Sequence, residues 1–513
     1  MREGLRARHG HKIWLLLGGV LMLFANGRWL VWPAAWLAPV FMIRYFRHAE
    51  GRWRPFLWGG AALWVAGLVS WFGLIPFPLP IFFVIATQGA ILGLLPFALD
   101  RFTHNRRRGL LQTLVFPLSS VSMAFLGSLR SETTWGAVGY TQASVLPLVQ
   151  LASVTGIWGL TFVVTWFASW ANEAWEDWED GRRLRPLQFA YPVLLVLVLT
   201  GGQLRLSFAE SAAAPVKVAS VTPPDILDHL TPEDLVLFQR FFMKQDVDTD
   251  RLHAVRTKLE ATYPELFRLT RREARRGAEI VFWPEASVVA FGAARQEELL
   301  QQMRALARDE EIYLGASLAL VPDSTRELNE NKVVLIDPEG QLVGTYYKTR
   351  LVPHVEEPFT RGGDGSIGTV DTPYGRLATV ICYDLDNPRF IAQLGGRDVA
   401  LLFAPSGDWP AIKHIHAAMA RFRAVEMGVS LVRPANHGLT QIVDTRGRAM
   451  ATMDHYATED RVLTASVAPG VTETPYARWG DVFAWLCVGA WVPIVLLSSL
   501  ALRRRQVELG ATV

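Results

Sequence analysis

The sequence predicts a multi-span α-helical membrane domain joined to an α/β layered domain, and three observations carry that reading. Residues 13–207 run as successive apolar stretches, residues 215–470 are mixed and polar, and residues 482–502 turn apolar again. Within the polar segment, short apolar strands alternate with helical stretches. Hydrophobic residues make up 50% of the 513, with 19 Trp and a mean hydropathy of +0.20, too apolar for an ordinary soluble chain. The expected division is residues 1–207 as a seven-span domain, 208–475 as an extracytoplasmic domain, and 476–513 as a last span with a cytoplasmic tail.

A bilayer core needs about 20 apolar residues per helix. Candidate spans lie at roughly 13–27, 29–46, 56–76, 78–99, 110–128, 145–171 and 187–206, and a last one near 482–502. The first is short, but no small-x-small cleavage pattern follows it, so it reads as a retained helix rather than a signal peptide. Basic residues set the orientation. Arg2, Arg6, Arg8 and Lys12 precede span one; Arg44, Arg47, Arg52 and Arg54 follow span two. Arg101 and Arg106–Arg108 follow span four, Arg182, Arg183 and Arg185 follow span six, and Arg503–Arg505 follow the last. The alternate loops carry only Arg28 and Arg130. All the clusters therefore fall on one side, the cytoplasmic one, which leaves residues 208–481 outside. The run Ala212-Ala213-Ala214-Pro215 reads as the linker into that domain. The acidic-aromatic run 173–180 reads as an interfacial helix end, with Trp at the headgroups and carboxylates in water.

The net charge of +3 and the lack of a basic domain exclude nucleic acid as a partner. Two cysteines exclude a disulfide framework or a Cys-rich zinc site.

In the polar segment the expected elements run in order. Strand 216–221 is followed by a long charged helix around 254–276, strand 279–283 and a helix around 296–309. Strands 312–320, 332–337 and 342–347 come next, the last two joined across Asp337-Pro338-Glu339-Gly340. Strand 377–382, a helix near 388–394, strand 399–404 and helix 413–427 follow. Strands 429–433, 439–444 and 461–467 complete the segment.

Three strand ends carry chemistry. Glu285 follows Ile280–Pro284, Lys348 follows Leu342–Tyr347, and Cys382 follows Leu377–Ile381. The other cysteine, Cys487, sits in the last apolar span and is no disulfide partner. Taken singly, the three have bland readings: a surface carboxylate, a snorkelling lysine and a core thiol. Their joint placement instead makes a base, an electrophilic stabiliser and a nucleophile. A helix-like turn after Cys382 is expected to favour thiolate, and Trp283 and Pro284 are expected to raise the Glu285 pKa into the range of a working base. Glu356 is placed to pair with Lys348 or to orient a substrate amine. His414 and His416 are two apart on a helix and point to different faces, so they are not read as metal ligands. His416 reads as structural or pocket-lining, and Asp364 as a turn residue. No metal and no cofactor are expected.

Trp283-Pro284-Glu285, Tyr347-Lys348 with Leu351-Val352-Pro353 and Glu356, and Ile381-Cys382-Tyr383-Asp384 resemble the Glu-Lys-Cys signature of the nitrilase (carbon–nitrogen hydrolase) superfamily. The resemblance implies a four-layer αββα sandwich. Within that superfamily the chain resembles the membrane-embedded branch, the apolipoprotein N-acyltransferase family, nearly end to end. Gly139-Tyr140-Thr141-Gln142, Gln150-Leu151-Ala152 and Gly156–Phe162 are similar to that family's external loop and following helix. Met419–Glu426 is similar to its helix after the nucleophile, and Asn436-His437-Gly438 to its Asn-x-Gly turn. Three segments depart from the family pattern: Asp384 stands where the family has Glu, Ala404–Trp409 replaces Ser-Asn-Asp-Ala-Trp-Phe, and Ser220–Pro224 lacks Gln-Gly-Asn.

The resemblance implies Glu285, Lys348 and Cys382 as catalytic residues, with Glu356, Tyr383, Asp384, Trp409 and Asn436 binding substrate or supporting the site. It implies a bacterial inner-membrane acyltransferase that takes an acyl chain from a phospholipid through a cysteine thioester. The acceptor would be the N-terminal amine of a diacylated lipoprotein, with the catalytic domain on the periplasmic side. Two readings stay beside it: a membrane-bound amidase using the same three residues with water as acceptor, and a scaffold that has kept the fold without activity.

Overall fold

The computed structural model describes residues 2–75, 77–104, 110–183, 185–208, 214–224, 230–324 and 326–510, with side chains from residue 10 to residue 496. Arg106–Arg108, Ala212 and Ala213 lie outside the described residues, as do the side chains of Arg2, Arg6, Arg8 and Arg503–Arg505. The chain divides into two compact units, Met1–Ala209 with Trp479–Val513, and Glu210–Arg478.

The first unit is helical. Its long helices are Arg2–Ala25, Trp32–His48, Arg54–Trp71, Leu79–His104, Leu110–Ser131, Ile157–Glu179, Ala190–Phe208 and Val482–Gly510. Among the described residues, the stretches Leu79–His104, Leu110–Ser131 and Pro186–Ser207 are long and apolar enough to cross a membrane. Gly10–Ala25 and Val482–Leu496 are shorter apolar helices.

The expected span 145–171 is corrected. Short turns at Leu146–Val149 and Ala152–Thr155 precede Gly156, whose φ of +61° breaks the chain direction before the helix starts at Ile157. The acidic-aromatic run also differs from expectation, because its carboxylates meet arginines rather than water alone. Arg47 holds Asp100 with two hydrogen bonds of 2.8 Å and reaches Glu176 at 3.1 Å. Arg182 pairs with the buried Asp177 at 2.8 Å, and Arg44 lies over the Trp175 ring.

The second unit is the layered domain. Its strands are β1 (Val216–Val221), β2 (Ile280–Phe282), β3 (Val288–Phe291), β4 (Tyr313–Val321), β5 (Asn329–Ile336), β6 (Leu342–Tyr347), β7 (Thr360–Arg361) and β8 (Thr369–Thr372). They continue with β9 (Gly375–Thr379), β10 (Val399–Phe403), β11 (Ser406–Gly407), β12 (Ser430–Arg433), β13 (Ala435–Asn436), β14 (Leu439–Val443), β15 (Ala449–Asp454) and β16 (Val462–Val467). One sheet has the order β16-β1-β2-β4-β5-β6, with β3 and β7 attached; the other has β15-β14-β12-β10-β9-β8. Each has a parallel centre (β1-β2-β4 and β9-β10-β12) and antiparallel rims.

Strand periodicity makes the layers. Val218, Ile280, Phe282, Val333 and Leu335 face the second sheet, where they meet Leu377, Leu401, Phe403 and Leu431. Their alternates Ala219, Val281, Trp283, Val334 and Ile336 face helices Tyr263–Arg275 and Ala293–Asp309, through Leu266, Leu299, Met303 and Leu306. Phe282 stacks on Phe403 between the sheets, with ring centroids 4.2 Å apart. A side chain at Gly315 would come within 2.5 Å of Phe282, so glycine there leaves room for the stack. Helix Lys413–Met427 covers the second sheet and completes the order αββα.

The long charged helix expected around 254–276 is two helices, Thr249–Glu260 and Tyr263–Arg275; Pro264 sits in the first turn of the second, where a missing N–H costs nothing. Helix Pro232–Phe242, capped by Thr231, and strands β3, β8 and β15 were not expected from the sequence.

Candidate active site

Glu285, Lys348 and Cys382 come from the carboxyl ends of β2, β6 and β9, and the fold brings all three together. Lys348 follows its strand directly, whereas Glu285 and Cys382 each sit three residues beyond theirs, on turns. Those turns are backbone-strained. Cys382 has φ +48° and Ala286, beside Glu285, has φ +51°. A left-handed non-glycine residue costs on the order of 1–3 kcal/mol and persists only where its surroundings hold it. At Cys382 the hold is its N–H donating to the Pro405 carbonyl at 2.9 Å.

The Glu285 carboxylate is gripped on both oxygens. Oε1 accepts from Lys348 Nζ at 2.8 Å and from Asn331 Nδ2 at 2.7 Å, and Oε2 accepts from the Gly407 N–H at 2.7 Å. Lys348 Nζ also donates to Glu356 Oε1 at 2.7 Å, while Glu356 Oε2 accepts from the Val352 N–H at 2.9 Å. The Cys382 thiol donates to the Gly407 carbonyl oxygen at 3.7 Å, and the Glu285 charge acts on it directly. Lys348 is 1% exposed, and Glu285 and Cys382 are 8% exposed.

Burial and these partners set the charges, and two expectations are corrected. Burial alone would raise the Glu285 carboxyl, but the Lys348 ammonium and the Asn331 hydrogen bond outweigh it and hold the carboxyl below its usual range. Burial and the Glu285 charge push the Cys382 thiol well above its ordinary value, against the pull of Lys348. Burial opposes the Lys348 charge, yet Glu285 and Glu356 keep it well above the ordinary lysine value. The resting site is therefore carboxylate, ammonium and neutral thiol, with the proton leaving sulfur only as a reaction proceeds.

The remaining expected residues take distinct places. Both Asp384 oxygens are occupied by protein donors: Oδ1 by the N–H groups of Thr349 (3.2 Å) and Arg350 (2.6 Å), Oδ2 by Tyr346 Oη (2.7 Å) and the Ile381 N–H (2.8 Å). Asp384 thus ties the cysteine turn to the chain after Lys348. Burial raises its carboxyl to about 6 despite those bonds. Asn436 Nδ2 donates to the Glu285 backbone carbonyl at 3.1 Å. Tyr383 and Trp409 are half-buried beside the cysteine turn and after β11. Ser366 donates twice to Asp364, making it a turn residue, and His414 is exposed.

Sequence reasoning missed Asn331, Gly407, Asp386 and Arg433. Asn331 looks like any polar residue alternating along a strand, and Gly407 acts through its peptide, which no side-chain motif announces.

Residues 250–476 match the family model for carbon-nitrogen hydrolases, and residues 18–170 match that for the apolipoprotein N-acyltransferase N-terminal domain. The chain is 27% identical to the apolipoprotein N-acyltransferase of Geobacter metallireducens, over 96% of this chain and 95% of that one. It is 27% identical to the enzyme of the same name from Azotobacter vinelandii, over 97% and 95%. A solved amidase from Nesterenkonia sp. AN1 is also similar, at 16% identity over 52% of this chain and 94% of that one, with a TM-score of 0.38.

Proposed function

The chain belongs to the apolipoprotein N-acyltransferase family of the carbon–nitrogen hydrolase superfamily, and on that premise we propose how its residues carry an acyl chain from phospholipid to lipoprotein. Glu285 takes the thiol proton as Cys382 Sγ attacks the ester carbonyl of a phospholipid. The Lys348 ammonium and the Tyr383 N–H hold the oxyanion. The C–O bond breaks, the leaving alkoxide takes the proton back from Glu285, and lysophospholipid departs from a Cys382 thioester. The α-amine of a diacylglyceryl-cysteine then attacks the thioester. Glu285 accepts the amine proton, sulfur leaves, the amide forms, and the proton returns to the thiol. The observation that carries this reading is the thiol on a strained turn, within the field of a buried carboxylate that an ammonium keeps charged.

The apolar helices support a membrane protein whose two substrates are both lipids. We place it in a bacterial inner membrane with the catalytic domain on the periplasmic side, because the Arg clusters all fall on one side of eight spans. Reporter fusions after residue 208 and at the C-terminus are expected to report opposite sides; the same side for both would overturn that orientation.

The acyl-enzyme is the direct test. Purified protein mixed with phospholipid is expected to gain one acyl mass on Cys382. That adduct should persist in water and collapse when a diacylglyceryl peptide with a free amine is added. A thioester that hydrolyses at one rate with or without the peptide would make water the acceptor and the protein an amidase-like hydrolase.

A further inference from the structure

A second charged cluster lies buried behind the site, spread over four elements. Asp386 ends the short turn that Cys382 begins, and Asp408 follows Gly407, the residue whose N–H grips Glu285. His416 comes from helix Lys413–Met427 and Arg433 from β12. His416 Nδ1 lies 2.6 Å from Asp408 Oδ1, and Nε2 lies 3.1 Å from Asp386 Oδ1. Arg433 donates to both Asp408 oxygens, at 2.8 and 2.9 Å. All four are at most 7% exposed. Two carboxylates against two cations leave no net buried charge, the condition under which such a group is tolerated in a core.

His416 Nδ1 also lies 2.8 Å from Arg433 Nη2, so the imidazolium charge is set by the balance between the two carboxylates and that guanidinium. Burial opposes that charge, but Asp386 and Asp408 raise His416 to about 9, against the opposing field of Arg433. Gly438 permits the arrangement, since a side chain there would lie 2.3 Å from Asp408 Oδ2. None of the four is in contact with the thiol or the Glu285 carboxylate in the hydrogen bonds described above. The Asp408 charge adds to the field that raises the thiol, and the cluster also reaches the site through the backbone, to the strained Cys382 turn on one side and the Gly407 peptide on the other.

We propose that His416 is a positioning residue whose imidazolium clamps the turn bearing Cys382 to the peptide that grips Glu285, and so sets the thiol-to-base geometry. The proposal rests on the catalytic reading of Glu285, Lys348 and Cys382. A clamp of this kind acts on the chemical step rather than on binding of the donor lipid; the comparable outer partners of metal ligands cost about 10- to 100-fold when removed.

The test uses the full chain in detergent and two variants, His416→Gln and Asp386→Asn. The second leaves an oxygen facing His416 and keeps the Asp408–Arg433 pair, so it preserves the fold should the first not. Single-turnover acylation of Cys382 by phospholipid, alkylation by iodoacetamide and the melting temperature are measured for each. A folded variant is expected to acylate about ten-fold slower or more, with KM for the donor unchanged. Wild-type acylation and alkylation rates in a folded variant would overturn the proposal. If wild-type protein forms no acyl adduct while its Cys382 is still alkylated faster than in the variants, the acyltransferase reading falls and the clamp stands.

Discussion

Replacing Cys382 with serine is expected to lower phospholipid-dependent turnover by about 10⁴-fold or more, between the loss of one acid–base group and that of a whole nucleophile. The two side chains differ by one atom, and a hydroxyl can still donate to the Gly407 carbonyl, so the fold should not change. What changes is proton removal. A free thiol ionises at about 8.5, whereas a hydroxyl, like water, holds its proton far more tightly. Cys382 is already raised by burial and by the Glu285 charge, and Glu285 is held low by Lys348. A base that weak can assist a thiol as the Sγ–carbon bond forms, but it lacks the strength for a hydroxyl. The check is lysophospholipid release, alongside mass spectrometry for an acyl group on residue 382. Near-normal turnover of the serine variant would remove the thioester from the mechanism.

The layered fold was legible because its signals are local. Short apolar runs mark β1, β5 and β12, the Asp337–Gly340 turn marks a hairpin, and helix Lys413–Met427 lies where its pattern puts it. The three reactive residues were legible for the same reason, since each lies within three residues of the end of a readable strand. β3 was not, because Val288–Phe291 follows Glu285 with no turn signal and becomes a strand only by pairing with Leu318–Val321. The buried cluster of Asp386, Asp408, His416 and Arg433 was not legible either. Its members are spread over 48 positions of the chain, from 386 to 433, and only the sheet and its covering helix bring them together. The direction of the Glu285 shift failed for a related reason. Neighbours Trp283 and Pro284 argue for burial, but the ammonium that outweighs burial comes from 63 residues away.

That ammonium supports the second large effect. Lys348→Met, which keeps the length of the side chain and removes its charge, is expected to lower turnover by about 10²–10³-fold as an oxyanion donor alone. The loss of base function comes on top. In the folded wild type the Glu285 carboxyl lies below its unfolded value, so its contribution to stability is present above about 4.3 and is lost as pH falls through the depressed folded value. Without Lys348, burial is the largest remaining influence and the folded carboxyl rises above its unfolded value. The sign then reverses: the fold prefers protonated Glu285, and stability is lost as pH rises through the raised value. Leaving one member of a buried pair charged and alone costs about 3–5 kcal/mol, and protonation relieves part of it. The melting temperature of the variant should therefore lie furthest below wild type in mildly alkaline buffer and approach it in mildly acidic buffer. Adding Glu285→Gln should recover part of the stability at alkaline pH without recovering turnover, because one of the two carboxylates that Lys348 pairs is then uncharged and the base is gone with it. A deficit of equal size at both pH values would mean that Lys348 is held for its packing, and that Glu285 draws its charge from Asn331 and the Gly407 peptide alone.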